Sequence, residues 1–319
     1  MRQAWQAGIV VVVAAGNEGR NNLLGTNGYG TITAPGNSPY VITVGAMNTI
    51  CTPTSTDDKI ASYSSKGPTS IDHIVKPDLM APGNRIISLN HGGSWLQKTY
   101  PGNGVAKSVY SNTSDTSAPD YYMLSGTSMA APMVSGAAAL LIQKDPSLTP
   151  DAVKARLMKA ATKFAPGYSS ATDPDTGVTY VDEYDVFTIG AGYLNIPAAL
   201  ANGDSFTGSA LSPTARYDVR TGEVFMQPTA TAAVWGTETD WGTAAVWGTA
   251  AVWGTSVFVN GTAAVWGTGV WGMSVAWGSS VAWGTGDAQG DTAIWGSAAA
   301  WGKGQASSEA FTIAIFGDN

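Results

Sequence analysis

The chain has 319 residues, enough for two domains of ordinary size, and a formal net charge of −7 at pH 7. Only 12% of the residues are charged, and no stretch is rich in lysine or arginine, which argues against nucleic acid as a partner. No run reaches the roughly 18 apolar residues that a membrane-spanning helix needs, and a single cysteine, Cys51, excludes an internal disulfide.

The first residues predict a short helix that leads into a buried strand. Residues 1–7 have the pattern of a helix end, and residues 8–15 form an apolar run that stops at a Gly/Asn turn. Such a run suits a parallel strand that is buried on both faces. A signal peptide is the alternative, but the run is short and its turn has a structural role of its own. Asn17 follows the strand, where α/β sheets gather functional groups, although asparagine also suits a left-handed turn.

Residues 38–46 predict a second strand. The two histidines of the sequence, His73 and His91, both follow it. His91 stands beside two glycines, which indicates a surface loop rather than a catalytic base.

Residues 124–141 carry the strongest functional pattern, a glycine and two small hydroxyl residues before a run of small helix formers. Gly126 allows a sharp turn that presents Ser128 to solvent, and the helix N-terminus behind it offers unpaired N–H groups. An oxyanion would be stabilised there, so Ser128 is a candidate nucleophile. Pro132 is expected in or near the first helical turn, where its missing N–H costs little. Gly-Thr-Ser alone would equally fit an ordinary loop before a small-residue helix.

A second helix is predicted after this segment. Thr149, Pro150 and Asp151 are helix-start signals, and Val153, Leu157 and residues 160–161 then form an apolar stripe.

No cofactor is predicted, because no group of histidines and cysteines has zinc spacing. Two acidic turns, residues 173–177 and 182–185, have carboxylates of the kind that bind calcium in extracellular enzymes, although such turns are more often only solvated. The carboxylates are those of Asp173, Asp175, Asp182, Glu183 and Asp185.

The second half of the chain is a tandem repeat. After a predicted linker at residues 204–231, Trp-Gly pairs recur about every six residues through residues 232–302. An even spacing places successive tryptophans on one face of an extended chain, and each glycine offers a place to turn. The spacing predicts a β-rich repeat of stacked units, and residues 303–319 predict a closing strand and tail. A poorly ordered stalk that carries exposed tryptophans is the alternative.

The tryptophans of the repeat have two possible roles. Either they form the core of the repeat, which we favour, or they are an exposed surface that stacks on sugars, membranes or proteins. In the second case the chain would be a non-catalytic binding or surface-display module, with no ligand predicted for the repeat.

The motifs of the first part together resemble the subtilisin-like serine proteases, the subtilases. The nucleophile segment is the long and specific match. Further segments similar to the family are residues 8–19, 38–46, 62–68, 76–83 and 190–200. The resemblance covers residues 1–203 and implies an α/β peptidase domain with a doubly wound, mostly parallel sheet.

The resemblance implies hydrolysis of peptide bonds through an acyl-enzyme on Ser128. It assigns the oxyanion hole to the side chain of Asn17 and the backbone N–H of Ser128. Polypeptide substrates and a secreted or cell-surface location follow from the same resemblance. It also implies substrate-binding roles for Ala14, Ala15, Gly16, Gly126 and Thr127.

The sequence departs from the family pattern at its beginning. In subtilases the triad Asp and His precede the oxyanion Asn, and Asn17 leaves no room for either motif. Neither His73 nor His91 resembles the family's His motif. We therefore expect a sheet that is incomplete on its N-terminal side, with an open edge beside the Asn17 strand, and no useful activity from this chain alone.

Overall fold

The computed structural model describes most of the chain up to residue 227 and two residues near its end. The described residues are 1–21, 27–112, 114, 115, 117, 119–162, 168–172, 177, 179–206, 208–218, 223–227, 315 and 317. The predicted Trp-Gly repeat at residues 232–302 lies outside the described residues, and so does most of the predicted closing strand.

Short helices and strands alternate along the described part. The helices are α1 (Arg2–Gln6), α2 (Trp95–Thr99), α3 (Lys107–Tyr110), α4 (Thr127–Lys144), α5 (Pro150–Ala160), α6 (Val186–Ile189) and α7 (Ile196–Ala201), with a 3-10 turn at Pro101–Asn103. The strands are β1 (Val12–Ala14), β2 (Ile42–Asn48), β3 (Lys59–Ile60), β4 (Leu79–Pro82), β5 (Ile86–Leu89), β6 (Gly104–Val105), β7 (Tyr121–Leu124), β8 (Tyr168–Thr172), β9 (Thr179–Glu183), β10 (Thr214–Asp218) and β11 (Glu223–Gln227).

Strand β2 is the centre of a four-stranded sheet. β1 pairs with one edge in parallel, with Ala14 beside Val44, and β4 pairs in parallel with the other edge, with Leu79 beside Val44. β3 pairs antiparallel with the same edge of β2 as β1 does, further along that strand at Met47. Because β1, β2 and β4 run in the same direction, their carboxyl ends meet at one edge of the sheet, and Asn17 lies at that edge.

The two faces of β2 pack against different groups of residues. Successive side chains of a strand point to opposite faces, so Val44 and Ala46 face one side and Met47 the other. Helix α4 crosses the sheet in contact with β1, β2 and β4, and α5 and α7 pack against α4. The first core includes Leu79, Ala81, Ala130, Val134, Ala137 and Leu141, and the second consists of Met47, Ile60, Met80, Ile189 and Tyr193. An α/β core of mixed sheet and helices is thus observed, while the wider doubly wound sheet stays a prediction.

Strand β1 pairs only with β2 among the described strands. Its three residues are half-buried, and Ile9, just before it, is 58% exposed. Within the described part β1 is therefore an edge strand of this sheet, while an incomplete sheet stays a prediction. None of the described helices has the length and apolar character that crossing a membrane requires.

Helix α5 begins as the sequence predicts. The Thr149 hydroxyl accepts a hydrogen bond from the Ala152 N–H, and Pro150 takes the first helical position. The buried surface of α5 is wider than the predicted apolar stripe, because Lys154 and Arg156 are buried as well as Val153 and Leu157. The chain near Asp204 covers that other face, since its carbonyl accepts a hydrogen bond from Arg156 Nε at 3.2 Å.

A group of buried charges joins β4 to α5. The Asp78 carboxylate accepts hydrogen bonds from Lys76 Nζ at 2.7 Å and pairs with Lys154 Nζ at 2.9 Å, and all three side chains are fully buried. The Ser212 hydroxyl donates to the same carboxylate at 2.8 Å. Burial lowers the pKa of Lys76 to about 7 and also lowers the pKa of Lys154, because removal from water disfavours a charged ammonium group.

Residues 208–215, which fall within the predicted linker, pack against this core. Ala210 and Ala215 are fully buried, and the Ala210 N–H donates to the Asp151 carboxylate at 2.6 Å. Strands β10 and β11 pair antiparallel. The domain boundary at residue 203 stays a prediction. Small residues that join the core through polar contacts give no apolar periodicity in the sequence.

Candidate active site

The loop after β1 meets the start of α4 through Asn17 and Thr127. Asn17 Oδ1 accepts hydrogen bonds from the backbone N–H and from the hydroxyl of Thr127, both at 2.9 Å. Thr127 Oγ1 in turn accepts from the Gly16 N–H at 3.2 Å. Because a backbone N–H can only donate, these contacts set the orientation of the Asn17 carboxamide, with its oxygen toward Thr127 and Nδ2 available for another acceptor.

Gly126 forms the turn between β7 and α4. Its φ of +143° is one that other residues rarely adopt, and a Cβ built on it would lie 3.2 Å from Asn17 Nδ2. The absent side chain therefore lets the Asn17 carboxamide lie directly against the turn.

Ser128 is the second residue of α4 and is exposed. The Met129 and Ala130 N–H groups donate to the Gly126 carbonyl at 2.9 and 3.3 Å. Neither the N–H nor the hydroxyl of Ser128 has a hydrogen-bond partner among the described residues. Asn17 Nδ2 has no acceptor among them either. Two unpaired donors, one of them at a helix N-terminus, thus lie on either side of the Gly126 turn, an arrangement that can bind an oxyanion.

Pro132 lies deeper in α4 than the sequence analysis expected. The helix begins at Thr127, which puts Pro132 in the second turn, where it removes the hydrogen bond to the Ser128 carbonyl. Both Ser128 and Pro132 are exposed, so water can donate a hydrogen bond to the Ser128 carbonyl instead.

The predicted substrate-binding residues lie around this turn. Ala14 ends β1 and is half-buried, as is Gly16, while Ala15, Gly126 and Thr127 are buried. The Thr127 hydroxyl is already engaged with Asn17 and Gly16, and the Ala15 side chain is covered. The backbone N–H groups of these two residues are engaged as well, that of Ala15 with the Val44 carbonyl and that of Thr127 with Asn17. Contact with a substrate stays a prediction for all five residues.

Neither histidine is brought to Ser128. His73 precedes β4 and its carbonyl accepts from the Ala215 N–H at 2.7 Å, so it lies toward the opposite edge of the sheet from Asn17. His91 is exposed and follows β5. Because β5 is antiparallel to β7, with Ile86 beside Leu124, the chain leading to His91 runs away from Ser128.

Ser65 is a supporting residue that the sequence analysis missed. Its hydroxyl accepts from the Glu18 N–H at 3.1 Å, and its N–H donates to the Gly16 carbonyl at 3.0 Å. The loop that carries Asn17 is thus held by Ser65 on one side and Thr127 on the other. No local pattern reveals Ser65, because it lies 47 residues from the backbone group it binds.

The acidic turns do not form a metal site in the part of the chain that the structure describes. Asp182 pairs with Lys66 at 2.5 Å, and Asp185 accepts from the Tyr29 hydroxyl at 2.5 Å. Asp173 and Asp175 lie outside the described residues, so calcium binding there stays a prediction.

Comparison with known proteins identifies the family of this chain. The sequence profile of the subtilase family matches residues 1–186. The serine protease AprX of Bacillus subtilis is 43% identical over 164 residues, which cover 51% of this chain and 33% of AprX. Subtilisin DY of Bacillus licheniformis is 33% identical over 197 residues, which cover 62% of this chain and 48% of that protein.

Solved structures of similar proteins include fervidolysin from Fervidobacterium pennivorans, a keratinolytic enzyme related to subtilisin. It is 26% identical, with a TM-score of 0.42, over 64% of this chain and 24% of that structure. The chain spans about a third of the length of AprX and about half that of subtilisin DY. The family profile matches more than half of the 319 residues, and the chain belongs to the subtilase family.

Proposed function

We propose that this chain contributes the nucleophile and the oxyanion hole of a subtilase-type serine endopeptidase. The observation that carries the proposal is the pair of unpaired donors at the Gly126 turn, Asn17 Nδ2 and the Ser128 N–H, beside the exposed Ser128 hydroxyl. Family membership supports the reaction class.

The proposed reaction has two steps. Ser128 Oγ attacks the carbonyl carbon of a peptide bond, and the carbonyl electrons move onto its oxygen. The resulting oxyanion accepts hydrogen bonds from Asn17 Nδ2 and the Ser128 N–H. Collapse of this intermediate expels the amine, which takes up a proton, and water then releases the acyl group from Ser128.

A base must remove the proton from Ser128 Oγ during the attack. His73 and His91 are placed away from that atom, so we propose that the base comes from polypeptide outside these 319 residues, in keeping with the family's order of Asp, His and Ser. The 319-residue chain alone should then be almost inactive. In subtilisin, a member of the same family, loss of the His alone costs about 2 × 10⁶ in turnover.

The substrate is proposed to be an extended polypeptide. The proposed substrate-binding roles of residues 14–16 and 126–127 rest on family membership. We also propose a secreted or cell-surface location, which rests on the family rather than on the structure.

A chimera tests the assignment of Ser128. The part of Bacillus subtilis AprX that precedes its match to this chain, where the family order places the triad Asp and His, would be joined to residue 1. We expect peptide hydrolysis and labelling of Ser128 by a fluorophosphonate, both abolished in Ser128→Ala. Ser135→Ala is the matched control, because Ser135 is exposed on the same helix and its hydroxyl donates only to the Ala131 carbonyl. Full turnover in Ser128→Ala would show that the nucleophile is another residue.

A further inference from the structure

Residues near the end of the sequence lie against the strand that leads to the nucleophile turn. Ile315 is only 3% exposed, and its carbonyl accepts a hydrogen bond from Asn103 Nδ2 at 2.6 Å. The same amide group donates to the Met123 carbonyl in β7 at 2.9 Å. Asn103 therefore joins Ile315 to β7 with both of its side-chain donors.

Gly317 makes a second contact with the same region. A Cβ built on Gly317 would lie 2.6 Å from Ser125 Oγ, 2.7 Å from Asn84 Oδ1 and 3.1 Å from Arg85 Cγ. Its φ is +73°, so glycine is favoured here both by the backbone conformation and by the lack of space.

These contacts fall on the junction that holds the nucleophile turn. Ser125 Oγ accepts from the Arg85 N–H at 2.9 Å, and the Gly126 N–H donates to the Gly83 carbonyl at 2.9 Å. Ser128 follows Ser125 by three residues. Packing on Ser125 and Arg85 therefore restricts the same backbone that positions the Ser128 N–H.

The edge of β7 has room for this segment. β5 pairs with β7 along one edge as far as Leu124, but β6 covers the other edge only at Tyr121 and Tyr122. Ile315 lies beyond the end of β6, where the Asn103 amide joins it to Met123.

We propose that Asn84, Arg85, Asn103 and Ser125 form a docking surface for the segment at residues 315–317 of the same chain, and that its docking stabilises the nucleophile turn. The occupant is an apolar segment with an isoleucine to bury and a glycine two positions later. Residues 208–215 and Ile315 both contact the peptidase domain. The stretch between them, which includes the Trp-Gly repeat, therefore has both of its ends on that domain. This proposal is independent of peptidase activity.

Hydrogen exchange of the full chain tests the docking. Gly317→Ala should speed amide exchange about ten-fold or more, both around residue 317 and at residues 125–129, because the added methyl group meets Ser125 and Asn84. Gly93→Ala is the matched control, since Gly93 has a similar φ of +80° but nothing within 4 Å of its Cβ position. Exchange in Gly317→Ala equal to the wild type at both places would overturn the docking. Faster exchange around residue 317 alone would overturn the stabilisation of the turn.

Binding of a labelled peptide with the sequence of residues 309–319 tests the same surface independently. In the full-length Ile315→Asp variant a carboxylate replaces the buried side chain, which should vacate the surface. Fluorescence anisotropy should then show binding about ten-fold or more tighter than to the wild-type chain, whose own segment competes. The same peptide with alanine in place of its glycine should bind more weakly. Equal binding of both peptides, or no binding to Ile315→Asp, would contradict the proposal.

Discussion

The carboxamide oxygen of Asn17 accepts two hydrogen bonds from Thr127, a residue 110 positions further along the chain. This contact ties the carboxyl end of β1 to the first turn of α4. It also determines which end of the amide is left for a substrate, because the oxygen is occupied and Nδ2 is not. The candidate oxyanion hole therefore depends on a residue whose own side chain is buried.

Removal of the Thr127 hydroxyl should destabilise the domain. In Thr127→Val the half-buried Gly16 N–H loses its acceptor, which costs about 1–3 kcal/mol of unfolding free energy. Thr127→Ser keeps the hydroxyl and should lose less. Urea unfolding of the full-length variants measures both values, and equal stability of the two variants would show that the hydroxyl is not what Thr127 contributes.

A side chain at Gly126 should also destabilise the turn. Gly126→Ala combines an unfavourable φ with a contact on Asn17 Nδ2, and we expect a loss of about 1–3 kcal/mol. Gly203→Ala is the control, because Gly203 has no positive φ and nothing within 4 Å of its Cβ position. The same urea titration compares them, and a Gly126→Ala chain as stable as Gly203→Ala would argue against close packing at the turn.

The buried carboxylate of Asp78 should be far more important for stability than an exposed one. Asp78→Asn leaves Lys76 and Lys154 buried without their counter-charge, and we expect a loss of about 3–5 kcal/mol. Asp115→Asn removes an exposed partner of Lys107 and should leave the unfolding midpoint unchanged. A small effect of Asp78→Asn would mean that water reaches the two lysines.

Stability should rise with pH in the weakly alkaline range. In the folded chain burial lowers the pKa of Lys76, so this side chain is protonated only below about pH 7. In the unfolded chain it is protonated below its ordinary pKa of 10.5. Between these values the unfolded state binds more protons, so the unfolding free energy increases with pH, by at most about 1.4 kcal/mol per pH unit. Lys154, with its pKa also lowered, acts in the same direction.

Urea unfolding from about pH 7.5 to about pH 9.5 measures this slope. The Lys76→Met chain should show a smaller slope than the wild type. A wild-type stability that stays level or falls over this range would contradict the assignment.

The sequence predicts the parts of this fold that depend on local pattern. The apolar run before Asn17 contains β1, residues 38–46 contain most of β2, and the start of α5 at Pro150 agrees with its predicted cap. Ser128 lies at the start of a helix behind a glycine turn, as its segment predicts. Each of these features is encoded within a few neighbouring residues.

The features that sequence analysis missed are contacts between distant segments. Lys154 looks like an exposed helix residue until the chain at Ser212 covers it, and Asp78 supplies its counter-charge. Ser65 looks like one serine of a polar loop, and its contact with the Asn17 loop appears only in three dimensions. Pairings of this kind leave no periodicity, so local reasoning cannot locate them.

The most direct test of the central claim is the turnover of Asn17→Ala in the active chimera with AprX. If Asn17 Nδ2 and the Ser128 N–H form the oxyanion hole, the donor acts mainly in the transition state. Asn17→Ala should then lower kcat about 10²–10³-fold, as loss of one such donor does in subtilisin, and leave KM nearly unchanged. A variant that changes KM alone, or that keeps its full kcat, would contradict the assignment of Asn17.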